Sequence, residues 1–318
     1  MIVLDASEGM VSQPRGWSRY VRELAAALGD AVTPVGARTI GPEVLWEQVG
    51  LPRVLRRRRA SLVHAPNCFL PLRRPCPGVV TIHDLAFEAF PDDFAPLTLR
   101  KYRWFAPRAA RSGQRVIVPS PFTGRDVIER YGIRPSKVRI VPEAPALPIG
   151  DAPPPPGGEY VRAVGDVRAK KNLGVLVEAA RRLGVRAVVA GADAGGAASL
   201  RGPGVELTGW VDDARLDALM RGAAVLVHPS LYEGFGLVVV EAMARGVPVA
   251  CANATALPET AAGAAELFDP HDPADVAAAI ERARGRRDEL AGLGRARAAE
   301  LSWERTAALT RAVYGELV

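Results

Sequence analysis

Two carboxylates and a set of glycines in AVLVHPSLYEGFGLVVVEAMARGVPVA, residues 224–250, form the stretch of this sequence best suited to chemistry. An apolar strand leads into a turn centred on Glu233-Gly234-Phe235-Gly236, and a helix is predicted from about Leu237 to Arg245. Glycines let a ligand approach the backbone closely, and a helix N-terminus presents N–H groups to anionic oxygens. Glu233 sits in the turn and Glu241 eight positions later in the helix. That spacing is a little over two helical turns, so the two carboxylates can face one side. Carboxylates flanking a phosphate-binding helix end suit a ligand with hydroxyls at both ends and phosphate in the middle, which is the shape of a nucleotide sugar. Spacing alone leaves open the alternative of an exposed acid and a helix-face acid paired by chance.

Three of the four histidines add to this. His64, His83 and His228 each end an apolar strand, whereas His271 does not. In open α/β sheets the ligand crevice lies outside the carboxyl ends of the strands. One histidine there could be a structural cap; three predict a site.

The elements that must position these groups are legible as alternating strands and helices. Apolar runs of strand length are MIVLD, SLVHAP, VVTIHD, RVIVPS and RIVPE in the first half, and YVRAVG, VRAVVAG, VELTGW, AVLVHPS and VPVACA in the second. They are continuously apolar, as expected of parallel strands buried on both faces. Amphipathic helices are predicted at residues 18–28, 122–131, 173–183, 213–221 and 273–284. This alternation means α/β domains with right-handed crossovers. PEAPALPIGDAPPPPGGEY, residues 142–160, is a Pro/Gly linker that can continue neither element. Two doubly wound domains are therefore expected, at 1–150 and 151–302, with a cleft between their strand ends.

Composition bounds the class. At 318 residues, with 48% hydrophobic and 24% charged, the chain can bury two cores of ordinary size. Its apolar runs fall short of the roughly 18 residues of a spanning helix. The opening MIVLDASEG reaches an Asp at once and is not read as a signal peptide. Three cysteines (Cys68, Cys76, Cys251) without metal or redox spacing fit a reducing cytoplasm. The charge of +6 is uneven: residues 1–150 hold 22 basic against 13 acidic residues, and residues 151–318 hold 19 against 22. Arg53–Arg59 and the aromatic-interleaved Arg100–Arg115 concentrate the excess. Such asymmetry predicts an anionic partner, an acceptor or a membrane surface at the inner face, for the first half. Solvated faces of an Arg-rich protein are the alternative. Nothing in the sequence points to nucleic acid.

The Glu–seven–Glu arrangement in PSLYEGFGLVVVEAMARGVPV resembles the signature of glycosyltransferase family 4. YVRAVGDVRAKKNLGVLVEA resembles the opening of that family's donor domain, and LTGWVDDARLDALMRGAAVLVHPS and LPETAAGAAELFDPHDPADVAAAI resemble the flanks of its signature. In the first half, VHAPNCFLPL, VVTIHDLAFEAFP and VIVPSPFTGRDVIERYGI resemble the acceptor domain of bacterial mannosyltransferase-like members. The resemblance implies the GT-B architecture, two Rossmann-like domains with an interdomain cleft, and a retaining hexosyl transfer from a nucleoside-diphosphate sugar, GDP-mannose before other donors. The acceptor would be a glycan, a lipid-linked sugar or a small molecule. It implies, residue by residue, Glu233 on the hydroxyls of the donor sugar and Glu241 on the ribose. Backbone N–H groups from Gly234 through Phe235 and Gly236 to Leu237 would meet the diphosphate or sugar. Lys171 would neutralise the diphosphate, His83 would lie beside the transferred sugar, and Gly16 near the phosphates. No cofactor and no metal are implied, cations and a helix dipole standing in for a metal. The last helix, Trp303 to Val318, with its stripe of Trp303, Ala307, Val313, Tyr314 and Leu317, would return to the first domain.

The sequence also departs from the family pattern. Asp166 stands where members often carry Arg after the glycine of VGD, leaving Arg168 or Lys170 as the second cation. Val238 replaces a frequent Pro, VPE replaces the frequent VPNG and leaves Glu143 at the linker, and the stretch between Leu28 and Ser61 is short. A non-catalytic GT-B subunit that binds a nucleotide sugar or scaffolds a partner is the competing reading. A dinucleotide oxidoreductase has only the glycines at 191, 195 and 196, without GxGxxG spacing. A serine hydrolase has Ser120 and Ser230 without GxSxG.

Overall fold

The computed structural model describes residues 1–10, 16–36, 43–154 and 159–318. Arg15 of the RGWSRY segment, residues 37–42 of the short stretch before Ser61, and residues 155–158 of the Pro/Gly linker lie outside the described residues. The chain divides into two compact units, Met1–Ala144 with Ser302–Val318, and Pro145–Leu301.

The first unit is built on a sheet of β1 Ile2–Asp5, β2 Thr33–Val35, β3 Leu62–Ala65, β4 Gly78–Thr81, β5 Arg115–Val118 and β6 Val138–Ile140. Its order is β2-β1-β3-β4-β5-β6 with every pairing parallel. The second has β7 Tyr160–Val164, β8 Arg186–Ala190, β9 Val205–Gly209, β10 Val225–His228, β11 Val249–Ala252 and β12 Glu266–Phe268. These run β12-β11-β10-β7-β8-β9, again all parallel. Central strands β3, β4, β10 and β11 are buried along their whole length, which is why their sequences are continuously apolar. In each sheet the winding direction reverses once, between β1 and β3 and between β7 and β10. Loops leaving the carboxyl ends of such neighbours diverge to opposite faces and leave a crevice.

Helix Trp303–Gly315 belongs to the first unit. Ser302 caps it by accepting the Arg305 N–H. Ala307, Val313 and Tyr314 are buried beside Tyr20, Val21 and Leu24 of helix Gly16–Leu28. Trp303 meets Tyr20 edge-on at 5.7 Å, and Glu316 bonds Arg115 and Arg139 at the entries to β5 and β6.

Two expectations need correction. His64 lies within β3, fully buried, with Nδ1 2.7 Å from the Tyr314 hydroxyl and Nε2 2.8 Å from Thr81 Oγ1. It is a core histidine under the last helix, and burial pushes its pKa down to about 3. The division between units falls after Ala144 rather than near 150. Residues that follow it are tied to the second unit: Glu241 accepts the Leu147 N–H, and Arg245 donates to the Leu147 and Pro148 carbonyls.

Candidate functional site

At the reversal point of the second sheet, the loops after β7 and β10 bring together groups far apart in sequence. Gly165 leaves β7 with φ +146°, and a Cβ there would lie 2.9 Å from Lys171 Cε. A Cβ on Gly191 would fall 2.0 Å from the Gly165 carbonyl oxygen, so Gly191 serves a backbone crossing. Asp166 accepts the Ala192 N–H at 3.1 Å and braces the same crossing. One turn at Ala169–Lys171 then delivers Lys171 to the carboxyl end of the central strands, and Leu231 N–H donates to the Lys170 carbonyl, joining the two loops.

Lys171 Nζ donates to Glu233 Oε1 at 2.6 Å. The same oxygen lies 3.1 Å from His228 Nε2, and Ser230 Oγ is 3.3 Å from that nitrogen. Thr255 Oγ1 accepts the Glu233 N–H at 3.0 Å. Burial opposes the Glu233 charge, yet Lys171, Lys170 and His228 together hold its carboxyl well below the usual range. For His228 burial is the largest influence, and with the two lysines it outweighs Glu233 and lowers the pKa. A carboxylate can only accept, so neutral His228 carries its proton on Nε2 and aims it at Glu233. At neutral pH the cluster is an ion pair at the mouth of a parallel sheet. It suits a ligand with an anionic group for Lys171 and hydroxyls for Glu233.

Gly236 has φ +92°, and a Cβ there would meet Leu257 Cδ2 at 2.6 Å, so this position requires glycine. Helix Leu237–Ala244 opens directly after it. Phe235 is buried and its carbonyl accepts the Thr260 hydroxyl. The helical period does not relate the two carboxylates, because Glu233 precedes the first helical turn. Each has its own anchor: Glu241 is 2% exposed, and its Oε1 accepts the Leu147 N–H at 3.1 Å. Arg168 lies 3.8 Å from Asp166.

His83 and Gly16 belong to the first unit. His83 follows β4 by two residues, with Nδ1 2.7 Å from Glu143 Oε1 and Nε2 2.8 Å from the Pro66 carbonyl oxygen. The Tyr20 ring meets it edge-on at 4.5 Å. Burial works against the charged ring, but Glu143, the Pro66 carbonyl and Asp84 outweigh it and raise the pKa. Gly16 opens helix Gly16–Leu28, and a Cβ there would meet nothing within 4 Å.

Sequence reasoning placed Glu233 and Lys171 among candidates but did not pair them. It missed Thr255, which lies in a glycosylation-like tripeptide with no signal for this role. His228 carried a signal, its place at a strand end. Among the described residues no group of three or more His, Cys, Asp or Glu could hold a metal ion. No helix among them is long and apolar enough to cross a membrane.

Residues 158–284 match the family model described as glycosyl transferases group 1, and residues 18–144 match glycosyltransferase family 4. The chain is 26% identical over 288 residues to O-antigen chain mannosyltransferase B of Escherichia coli, covering 82% of this chain and 75% of that protein. It is 40% identical over 121 residues to MMP alpha-(1->4)-mannosyltransferase of Mycolicibacterium hassiacum, covering 36% of this chain and 29% of the relative. Sucrose-phosphate synthase from Thermosynechococcus elongatus shares the fold at a TM-score of 0.76 and 21% identity, over 99% of this chain and 98% of that one. HepE from Anabaena, in complex with UDP and glucose, does so at 0.76 and 18% identity over 99% of both chains.

Proposed function

The chain belongs to the glycosyltransferases of the family 4 type, and from that premise we propose that it transfers a hexosyl group from a nucleoside-diphosphate sugar with retention of configuration. The donor is GDP-mannose before UDP- or other sugar nucleotides, a preference supported by the names of the two mannosyltransferase relatives. UDP in the HepE complex keeps the uridine donors in view. The acceptor is a glycan, a lipid-linked sugar or a small molecule.

One observation carries this reading: the Lys171 ammonium on the Glu233 carboxylate, 2.6 Å apart at the reversal point of the second sheet. In the transfer the bond from the anomeric carbon to the diphosphate oxygen breaks with its electron pair left on that oxygen, the acceptor hydroxyl oxygen bonds the same carbon, and the hydroxyl proton passes to the departing phosphate. That developing anion needs preorganised positive charge. Lys171 supplies it, with Lys170 as the second cation, since Lys170 already bears on Glu233 while Arg168 faces Asp166. These lysines and the N-terminus of helix Leu237–Ala244 do the work a divalent ion would do. Glu233, held between Lys171 and His228, accepts from sugar hydroxyls, and Glu241 takes the ribose. His83 stands beside the transferred sugar.

The first unit would also touch an anionic membrane surface, reversibly and from the cytoplasmic side. Helix Pro96–Ser112 has five cations and no carboxylate, and its Leu97 and Trp104 are 73% and 46% exposed.

A thermal-shift panel of GDP-, UDP-, ADP- and dTDP-sugars tests the donor. A ligand that binds only the folded state raises the midpoint in step with its affinity. GDP-mannose should give the largest shift. A panel without any shift would remove the sugar-nucleotide reading.

A further inference from the structure

We infer that Glu143 is a positioning residue for the transfer: it locks His83 as a doubly protonated ring with no nitrogen left to act as a base. This rests on the reading of His83 as a neighbour of the transferred sugar.

The geometry around the ring leaves little choice. The Pro66 carbonyl oxygen, 2.8 Å from Nε2, can only accept, so Nε2 carries a proton. Glu143 Oε1 lies 2.7 Å from Nδ1. A neutral ring donating through Nε2 would turn the lone pair of Nδ1 against an ionised carboxylate at that distance. A proton therefore lies on the Nδ1–Oε1 line, and the charge-assisted bond is the strong form of the contact. Side-chain exposures of 19% and 9% keep water from weakening it.

Among the described residues, the charged and titratable neighbours agree with a cationic ring or are silent. Asp84, the next residue, adds negative charge. Tyr20, on helix Gly16–Leu28, presents its ring edge-on, and burial keeps its hydroxyl protonated. His64 on β3 is held neutral by burial. Thr123, from helix Pro121–Tyr131, reaches the His83 carbonyl with its hydroxyl.

The consequence is chemical. His83 cannot take the proton of an acceptor hydroxyl through either nitrogen without first breaking one of these bonds. What it offers is a fixed positive charge, which favours departure of the anionic nucleotide.

Two readouts on the full chain test the inference. The ring resonances of His83, assigned with His83→Gln, are titrated by NMR without substrate in the wild type and in Glu143→Gln. The wild-type midpoint should lie above the ordinary histidine value of about 6.5, and Glu143→Gln should lower it by about one unit, a tenfold loss of proton affinity. The pH profile of kcat/KM should show an alkaline limb that moves down by the same amount, the variant approaching wild-type rates at acid pH. Glu143→Asp should fall between the two. A wild-type midpoint at or below 6.5 overturns the inference even if Glu143→Gln does not fold. A shifted midpoint with an unmoved rate profile also overturns it, because the charge would then serve the fold alone. A wild type inactive with every donor is a failure of the transferase reading instead, and the NMR titration tells the two apart.

Discussion

At the scale of single residues, the roles of Glu233 and Glu241 separate by what each can lose. Glu233→Ala should weaken binding of the sugar nucleotide but hardly that of the bare nucleoside diphosphate. Glu241→Ala should weaken both, by about tenfold or more if a charge-assisted bond to the ribose is lost. Isothermal titration with nucleoside diphosphate and its sugar ester checks this; equal effects of both changes on both ligands would sink the assignment. Glu241 also holds the Leu147 N–H, so Glu241→Gln is the control that preserves an acceptor there. Titration sets a second residue-scale expectation. His64 is pushed down to about 3 and Glu316, between Arg139 and Arg115, to about 2. Both folded values lie below the unfolded ones, so the unfolded chain binds more protons and stability rises with pH through each window. The His64 contribution should be complete above about 6.5 and fade toward 3, and that of Glu316 should begin to fade only below about 4.5. His83, raised by Glu143, has the opposite sign: its contribution is complete below about 6.5 and lost as pH climbs through the folded value. Glu47, which burial raises to about 7, slopes the other way through the same window. Urea unfolding from pH 3.5 to 9 is therefore compared between the wild type and His64→Gln, and identical slopes between 6.5 and 4.5 would contradict the buried neutral His64.

Among the elements, helix Pro96–Ser112 makes the clearest demand on a partner. Arg108 stacks on Trp104 at 4.0 Å, and Arg103 pairs with Glu88 at 3.1 Å. Pro96, Leu99, Arg100, Arg103, Trp104 and Arg108 line a surface groove of about 410 Å³. Arg53 and Arg56 to Arg59 are exposed in the same unit. Each cation near an anionic bilayer contributes about 1 kcal/mol, and salt weakens it. Co-sedimentation should therefore occur with anionic but not neutral vesicles, fall steeply with salt, and drop several-fold in Arg100→Glu with Arg108→Glu. Equal binding to both vesicle types, or to neither, would return these faces to ordinary solvated surface. Elements also explain which strands were overlooked. β2 and β12 have three residues each and sit at sheet edges. Too short for a periodic signal, they are defined by the neighbour they pair with. Helices Leu173–Leu183 and Asp213–Arg221 coincide with the predicted bounds because a strong apolar stripe, or an Asp212 cap and a following glycine, marks their ends.

For the whole molecule, the expectation is a product whose anomeric configuration matches that of the donor, formed without a divalent ion. Product NMR showing inversion would remove the mechanistic assignment. Activity abolished by EDTA and restored by magnesium would remove the argument that Lys170 and Lys171 neutralise the leaving group. Lys171→Ala should lower kcat by about a hundredfold or more if its charge acts mainly as the bond breaks.

By itself the sequence determined the α/β class and the two parallel sheets, because these follow from local periodicity and from glycine and proline chemistry; the division between the units, after Ala144, did not follow from it. It also marked the Glu233–Leu237 turn, where Gly236 must be glycine. Tertiary structure alone decided which polar groups share a site. His64 and His83 look alike along the chain, each at the end of an apolar strand. The first is sealed between Thr81 and Tyr314, a partner 250 residues away, and the second is charged by Glu143, 60 residues on. Lys171 and Glu233 meet because β7 and β10 are neighbours in the sheet though not in sequence. Such pairings depend on sheet order, and strand order is set by long-range packing that no local pattern encodes.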